Sequence, residues 1–296
     1  MVKDAFSNCH PIVNFTFYIG ALLMGMCLIH PVFLCISLLL SLSYYVMVKR
    51  ECLKYLAGMS GVFLAIAIIN PLFNTQGEKV LFTYLNGRMY TLEALCYGIA
   101  IGAMFVTIIT WFSTYNAVVT SDKFLYCFGK LAPSVSLILT MVFRMVPQFQ
   151  KKSRQIIEAR KCIGKTIKNG HYFEKAEHGM TTVSALTTWA LEGGVVMADS
   201  MKSRGFGSSK RTSFSIYCIR RRDKYLLIMM LLLFVMIVVC AFCGGMEVSY
   251  IPQLKIAGVN QIWMVLGAIC YFLFLSIPTA INIMEVFIWR ILKSRI

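Results

Sequence analysis

Two short basic motifs, forty-four residues apart, are the strongest candidates for a binding function in this sequence. They read Ala159-Arg160-Lys161 and Ser203-Arg204-Gly205. Each motif places one Arg between small or flexible neighbours near the predicted end of a helix. A guanidinium keeps its charge and grips a carboxylate through two parallel hydrogen bonds, so it suits an acidic pocket on a partner protein better than a Lys does. A pair of solvated surface arginines is the alternative, but the repetition favours two docking sites.

Other chemistry finds little support in the residue spacing. The segment 164–166 (Gly-Lys-Thr) is similar to the end of a phosphate-binding loop, but Ala159 occupies the position of the first Gly of that motif. The preceding residues also predict a helix instead of a strand. The four histidines are dispersed, and Cys240 and Cys243 have redox spacing but lie in an apolar run without a nearby His. We expect no catalytic residue, metal site or cofactor in this chain.

The composition indicates an integral membrane protein. The chain has 296 residues, of which 58% are hydrophobic and 14% are charged, and its mean hydropathy is +0.70. A membrane-spanning helix needs about twenty apolar residues. Six stretches fit, at 12–29, 32–48, 53–73, 92–119, 225–243 and 262–289. The pairs His10-Pro11 and His30-Pro31 are predicted to mark helix ends, and the first two spans are predicted to form a tight hairpin without a cleavable signal.

The charge distribution predicts the sidedness of these spans. Residues 150–223 contain fifteen Lys and Arg against six Asp and Glu, whereas the loops 74–91 and 244–261 contain only three basic residues. Positive charge near span ends marks the cytoplasmic side, so both termini are predicted to be cytoplasmic. The net charge of +16 lies mostly on this one membrane face. Anionic lipid headgroups and an acidic protein partner explain it better than nucleic acid does.

Two long helices are predicted to position the arginine motifs. The first runs from an apolar start after Pro133, leaves the membrane interface near Pro147 and stops at Gly164. The second covers about 175–203 and carries an apolar stripe at i, i+3, i+4, i+7 spacing: Leu186, Trp189, Ala190, Gly193, Met197 and Met201. Gly193, Gly194 and Ala198 predict a close crossing with the first helix.

The predicted fold is therefore all-α: a polytopic membrane protein with about six transmembrane helices and a cytoplasmic coupling region of long crossing helices. Residues 1–120 form an N-terminal membrane domain with four spans, 121–223 form the coupling domain, and 224–296 form a C-terminal membrane segment with two spans. In the fourth span, Thr91 is predicted to cap the helix and Glu93 to favour its dipole. Gly98 and Gly102 predict a close helix neighbour.

A series of motifs resembles one protein family. In chain order they are Asn70-Pro71-Leu72-Phe73, Thr91-Leu92-Glu93-Ala94, Arg144-Met145-Val146-Pro147, Glu158-Ala159-Arg160, the run 198–207 and Arg211-Thr212. This order resembles the transmembrane T component of energy-coupling factor transporters, the EcfT/CbiQ family. The second arginine motif is the most specific part of the resemblance. The first motif has Lys161 where the family pattern has Gly.

The resemblance implies a coupling subunit of an importer for vitamins or for transition-metal ions such as cobalt, in a bacterial or archaeal cell membrane. Two cytoplasmic ABC ATPase subunits would bind the ATP and dock on Arg160 and Arg204, and a separate small membrane subunit would bind the substrate. Met-rich surface repacks readily against different partners. We therefore predict that Leu186, Trp189, Met197 and Met201 contact the substrate-binding subunit.

Two other classes of function are weaker. A conventional ABC permease that lines its own substrate path would need polar or charged residues distributed through the spans, and these are sparse. A membrane-embedded enzyme would need a paired base and nucleophile, which the sequence does not suggest.

Overall fold

The computed structural model describes residues 4–49, 52–74, 77, 79–84, 88–129, 132–164, 172–208, 217–245, 248–250, 255–256 and 261–294. Over these ranges the helices are α1 Pro11–Cys27, α2 Pro31–Val48, α3 Cys52–Phe73, α4 Leu92–Val118, α5 Ser121–Gly129, α6 Pro133–Cys162, α7 Tyr172–Ser203, α8 Arg221–Cys240 and α9 Gln261–Ser294. A short 3-10 turn, Phe6–Asn8, precedes α1, and a π turn, Ala241–Gly245, follows α8. The protein is an all-α polytopic membrane protein, as predicted.

Five of the described helices are long and apolar enough to cross a membrane: Pro31–Val48, Leu53–Phe73, Leu92–Val118, Arg221–Gly244 and Ile262–Lys293. The remaining predicted span, 12–29, corresponds to α1. This helix has 17 residues, which lies at the short end of the spanning range. Helices α1 and α2 begin at Pro11 and Pro31, so the His-Pro pairs mark helix ends as predicted. The Nδ1 atoms of His10 and His30 accept hydrogen bonds from the backbone N–H groups two residues later, each at 3.3 Å.

The chain divides into two compact units, one formed by residues up to Phe124 and from Tyr217 onward, the other by Leu125–Ile216. The first unit contains α1 to α4, α8 and α9. The predicted N-terminal and C-terminal membrane segments therefore pack together as one body. The second unit contains α6 and α7, which carry both arginine motifs.

An aromatic cluster around α1 forms the core of the first unit. The ring of Phe17 lies 5.4 Å from Trp111 of α4 and 5.4 Å from Phe274 of α9, and Tyr44 of α2 stacks on Trp111 at 6.0 Å. These side chains are fully buried. Each such ring pair contributes about 0.5–1.5 kcal/mol beyond its buried area, so this cluster helps to join α1, α2, α4 and α9.

The close helix neighbour predicted for Gly98 and Gly102 is α3. A Cβ atom at Gly98 would lie 3.0 Å from the backbone oxygen of Ala67, and one at Gly102 would lie 3.2 Å from that of Phe63. Larger residues at either position would push α3 away from α4. The predicted glycine contact is thereby confirmed.

Two short antiparallel hairpins connect the spans. Strands β1 Val80–Tyr84 and β2 Arg88–Thr91 lie between α3 and α4, and β3 Val248–Ser249 and β4 Lys255–Ile256 lie before α9. As predicted, the Thr91 side chain caps α4 by accepting from the Ala94 N–H at 3.4 Å. The Glu93 carboxylate accepts from the Lys79 N–H at 3.2 Å, which ties the first hairpin to the start of α4.

Both ends of the first unit lie on the same side of its helices. The hydroxyl of Tyr44, near the end of α2, donates to the Asp4 carboxylate at 2.7 Å, and Asn282 in the second half of α9 also donates to Asp4. Lys123, just after α4, donates to the Val118 carbonyl at 2.9 Å and to Ser7 near the N-terminus. These contacts bring the N-terminal segment, the end of α2, the start of α5 and the second half of α9 together at one end of the unit.

Candidate functional site

Helix α6 carries the first arginine motif in its last turn. It begins with Pro133 at its first position, where the missing N–H costs no helix hydrogen bond, and it runs without a break through Pro147 to Cys162. Gly164 follows with φ +77°, and its N–H donates to the Lys161 carbonyl at 3.1 Å. The predicted stop at Gly164 is confirmed, and Arg160 and Lys161 lie at the negative end of the helix dipole.

Helix α7 ends at Ser203, the first residue of the second motif, in a Schellman arrangement. The N–H of Phe206 donates to the Met201 carbonyl at 3.0 Å and the N–H of Gly205 donates to the Lys202 carbonyl at 2.9 Å. Gly205 has φ +78°, a left-handed conformation that a residue with a Cβ rarely adopts. Gly205 therefore reverses the chain and leaves Arg204 at the tip of the helix.

The two helices pack as an antiparallel hairpin. Near the end of α6, Arg160 contacts His178, close to the start of α7. Further along, the Phe149 ring meets the Trp189 ring edge-on at 5.4 Å, and the Lys152 ammonium lies 5.9 Å from the Trp189 ring centre. Half-buried residues of α7 recur every three to four positions, as one seam: His178, Thr182, Leu186, Trp189, Ala190, Gly193, Met197 and Met201.

The predicted close crossing at Gly193, Gly194 and Ala198 is wrong. A Cβ atom added at Gly193 or Gly194 would have no other side chain or neighbouring backbone atom within 4 Å, and Ala198 is exposed. The contacts that join α6 and α7 are made by large side chains, notably Trp189 and Phe149, and these keep the two backbones apart.

The antiparallel arrangement places the two arginines at opposite ends of the hairpin. Arg160 lies beside His178, whereas Arg204 follows twenty-six residues later along α7. At 1.5 Å per helical residue this is about 39 Å. Five of the six residues predicted to dock ATPases are exposed: Ala159, Lys161, Ser203, Arg204 and Gly205.

Arg160 is the half-buried member of that set, and its guanidinium is held by α7. Its Nη1 donates to the His178 carbonyl at 2.8 Å and lies 3.5 Å from the Thr182 hydroxyl, and its Nη2 lies 2.7 Å from the His178 Nδ1. Arg204 differs, because no hydrogen-bond or ion-pair partner contacts its guanidinium within the described part of the chain. Sequence reasoning missed His178 and Thr182, although extending the apolar stripe back from Leu186 by four-residue steps leads to both.

The residues predicted to contact a substrate-binding subunit lie along the hairpin seam. Leu186, Trp189, Met197 and Met201 are half-buried, so part of their surface already packs within the hairpin. Other apolar residues of α7 are largely exposed: Met180, Val183, Leu191, Val195 and Val196. The first half of α6 adds a further exposed set: Val135, Ile138, Val142, Phe143 and Val146. Pairing Phe149 with Trp189 brings Val142, Phe143 and Val146 of α6 to the same level of the hairpin as Leu191 to Val196.

No family model and no curated protein matches this chain. Among the described residues, no group of three or more His, Cys, Asp or Glu side chains is placed to hold a metal ion.

Proposed function

We propose that this chain is the coupling subunit of an energy-coupling factor ABC importer, a scaffold similar to the EcfT/CbiQ proteins. In this role it joins two ATPases to a separate membrane subunit that binds the substrate, a vitamin or a transition-metal ion. The observation that carries the proposal is the pair of arginine-bearing helix ends about 39 Å apart on one hairpin.

The separation of Arg160 and Arg204 supports two docking sites on two different ATPase subunits. A distance of about 39 Å exceeds the roughly 30 Å diameter of a small domain, so one compact domain would not easily reach both. Two ATPases related by an approximate two-fold axis would present the same acidic pocket twice. Arg160 and Arg204 offer matching charges at the two positions, each at the C-terminal end of a long helix.

The exposed apolar residues of the hairpin supply a surface for the substrate-binding subunit. Leu191 is 68% exposed, Val195 62% and Val196 66%, which is unusual for a helix that contacts only water. The adjoining half of α6 exposes Ile138 and Val142. We propose that this surface, together with the free part of the predicted contact residues Leu186, Trp189, Met197 and Met201, receives that subunit at the membrane interface.

The charge of the second unit supports a cytoplasmic location for the hairpin in a bacterial or archaeal cell. This unit, Leu125–Ile216, holds fourteen of the chain's twenty-nine Lys and Arg residues, and positive charge is retained on the cytoplasmic side. Asp4 contacts Asn282 in the second half of α9, which is compatible with two cytoplasmic termini. In this scheme ATP binds to the partner ATPases and not to this chain.

The proposal is tested by charge reversal at the hairpin ends. We expect Arg160→Glu and Arg204→Glu each to reduce the amount of ATPase that co-purifies with the chain, and the double variant to lose it, because a like charge at a desolvated contact costs several kcal/mol. Arg154→Glu is the matched control, since Arg154 is exposed on α6 but lies before its last turn and outside the arginine motif.

Full recovery of both ATPases with the double variant would contradict the docking assignment. Equal loss with Arg154→Glu would attribute the effect to overall charge instead. Transport by this chain with ATPases but without any separate substrate-binding subunit would favour the alternative, a permease that lines its own path.

A further inference from the structure

We propose that His178 and Thr182 are positioning residues that hold the Arg160 guanidinium with one edge free for a carboxylate of the docked ATPase. This inference rests on the proposed function, because it concerns the first of the two docking sites. It adds a role for two α7 residues that lie outside both arginine motifs.

The contacts between Arg160 and His178 show which imidazole nitrogen accepts a hydrogen bond. A guanidinium carries only donors, so the His178 Nδ1 at 2.7 Å from Nη2 must accept. This hydrogen bond therefore uses the tautomer of His178 that carries its proton on Nε2. The Nη1 group donates to the His178 carbonyl at 2.8 Å, so both contacts to His178 use the end of the guanidinium between Nη1 and Nη2.

The remaining donors face a different direction. Of the five N–H groups of the guanidinium, those on Nη1 point to the His178 carbonyl and the Thr182 hydroxyl, and one on Nη2 points to Nδ1. Among the described residues, no acceptor contacts the Nε–H or the second Nη2–H. These two donors lie parallel on one edge, which is the geometry that binds both oxygens of a carboxylate. An aspartate or glutamate of the ATPase is the partner that fits this edge.

The contact also fixes a flexible side chain before docking. An unrestrained Arg loses rotamer freedom when a partner immobilises it, and this weakens binding. Arg160 has already lost most of that freedom, because α6 and α7 hold both its backbone and its guanidinium. Arg204 is exposed, and its Schellman turn fixes only the backbone. The first site is thus preorganised and the second is not.

The test measures how fast the ATPases dissociate from the full purified complex carrying His178→Asn or His178→Gln. Asn places an acceptor oxygen close to the position of Nδ1, whereas Gln extends it toward the position of Nε2. We expect dissociation near the wild-type rate with His178→Asn and about two- to tenfold faster dissociation with His178→Gln. Equal rates for the two variants would overturn the assignment to Nδ1 and with it the positioning role.

Thr182→Val provides a second arm with a neighbouring control. Thr181 and Thr182 each donate to the carbonyl four residues earlier, at 2.7 Å and 2.9 Å, but only Thr182 also contacts Arg160. Thr182→Val should speed ATPase dissociation, and Thr181→Val should leave it unchanged. The same effect for both would show that the hydroxyls act through the helix and would contradict the proposal.

Arg160→Ala separates this inference from the proposed function. If Arg160→Ala leaves the dissociation rate unchanged, the first docking site is itself wrong. If Arg160→Ala speeds dissociation but His178→Gln does not, docking stands and the positioning role fails. The double variant Arg160→Ala/His178→Gln should dissociate no faster than Arg160→Ala alone. A further increase would mean that His178 acts on the stability of the hairpin and not through Arg160.

Discussion

Replacing Trp189 with Gln should loosen the α6–α7 hairpin itself. In the structure the Trp189 ring meets Phe149 edge-on at 5.4 Å and lies 5.9 Å below the Lys152 ammonium. Trp189 is the largest side chain of the seam and is half-buried. Gln retains neither the ring contact nor the cation–π contact, so the middle of the hairpin loses its main connection.

The size of the effect follows from these two contacts. An edge-on aromatic pair contributes about 0.5–1.5 kcal/mol beyond burial, and a cation–π contact at an accessible site contributes about 0.5–1 kcal/mol. Together they predict that the free energy for opening α7 away from α6 falls by about 1–2.5 kcal/mol. Local opening controls amide hydrogen exchange, so the amides of α7 around Trp189 should exchange about five- to seventyfold faster.

The assay compares Trp189→Gln with Leu191→Gln. Leu191 lies two residues away and is 68% exposed, so its replacement should leave exchange within the hairpin near the wild-type rate. In the proposed complex the two variants should also differ in partner binding. Trp189→Gln should weaken the binding of both the ATPases and the substrate-binding subunit, because the two docking sites and the apolar surface depend on an intact hairpin. Leu191→Gln should weaken only the binding of the substrate-binding subunit.

One result would refute this reasoning. If Trp189→Gln released the substrate-binding subunit, kept the ATPases and left hydrogen exchange unchanged, the contacts of Trp189 with Phe149 and Lys152 would contribute little to the stability of the hairpin.

Two further predictions concern the membrane unit. Gly98→Val should separate α3 from α4 and lower the free energy of unfolding by about 1–3 kcal/mol, because a Cβ there already meets a backbone oxygen of α3 at 3.0 Å. Thermal unfolding in detergent should therefore show a lower Tm. The control Gly61→Val should leave the Tm unchanged, because Gly61 has open space around it. Lys123→Met should also lower the Tm, because it removes the ammonium that donates to Ser7 and to the Val118 carbonyl. The expected loss in the free energy of unfolding is about 1–3 kcal/mol. An unchanged Tm would show that water replaces the ammonium.

The spans and helix ends were predictable because their signals are local. Apolar runs set the positions of the membrane helices, and a Pro, a capping side chain or a Gly marks where each begins or ends. Thr91 and Gly164 illustrate this, since each acts within a few residues of its own position. The close helix contact at the two glycines of α4 was equally predictable, because small residues at four-residue spacing in a long apolar helix allow a neighbouring helix to approach closely.

Six of the eight seam residues of α7 were predicted as its apolar stripe, but the residues left for a partner were not predictable, because apolar residues surround this helix. Leu186 and Met197 belong to the seam, yet Met180 and Val195 are exposed on other faces. A pattern of this kind does not separate the residues that hold a hairpin from those left for a partner. The contact of Arg160 with His178 depends on the antiparallel register of two helices, which spacing along one helix does not encode.

The antiparallel geometry also constrains how ATP binding would act in the proposed complex. Arg160 and Arg204 are separated by nearly the full length of α7, which cannot shorten, so two ATPases that approach each other must tilt the hairpin or shift α6 along α7. The Phe149–Trp189 contact resists sliding, because large rings interlock with their neighbours. Beyond it, Gly193 and Gly194 lie in open space and resist a change of angle much less. We therefore expect the angle between the helices to change about the Phe149–Trp189 contact, which would move the apolar surface around Val195 relative to the docked ATPases. A shift of this kind is driven only by contacts that differ between the two states, and the apolar surface beside the glycines is where the proposed substrate-binding subunit would sense that difference.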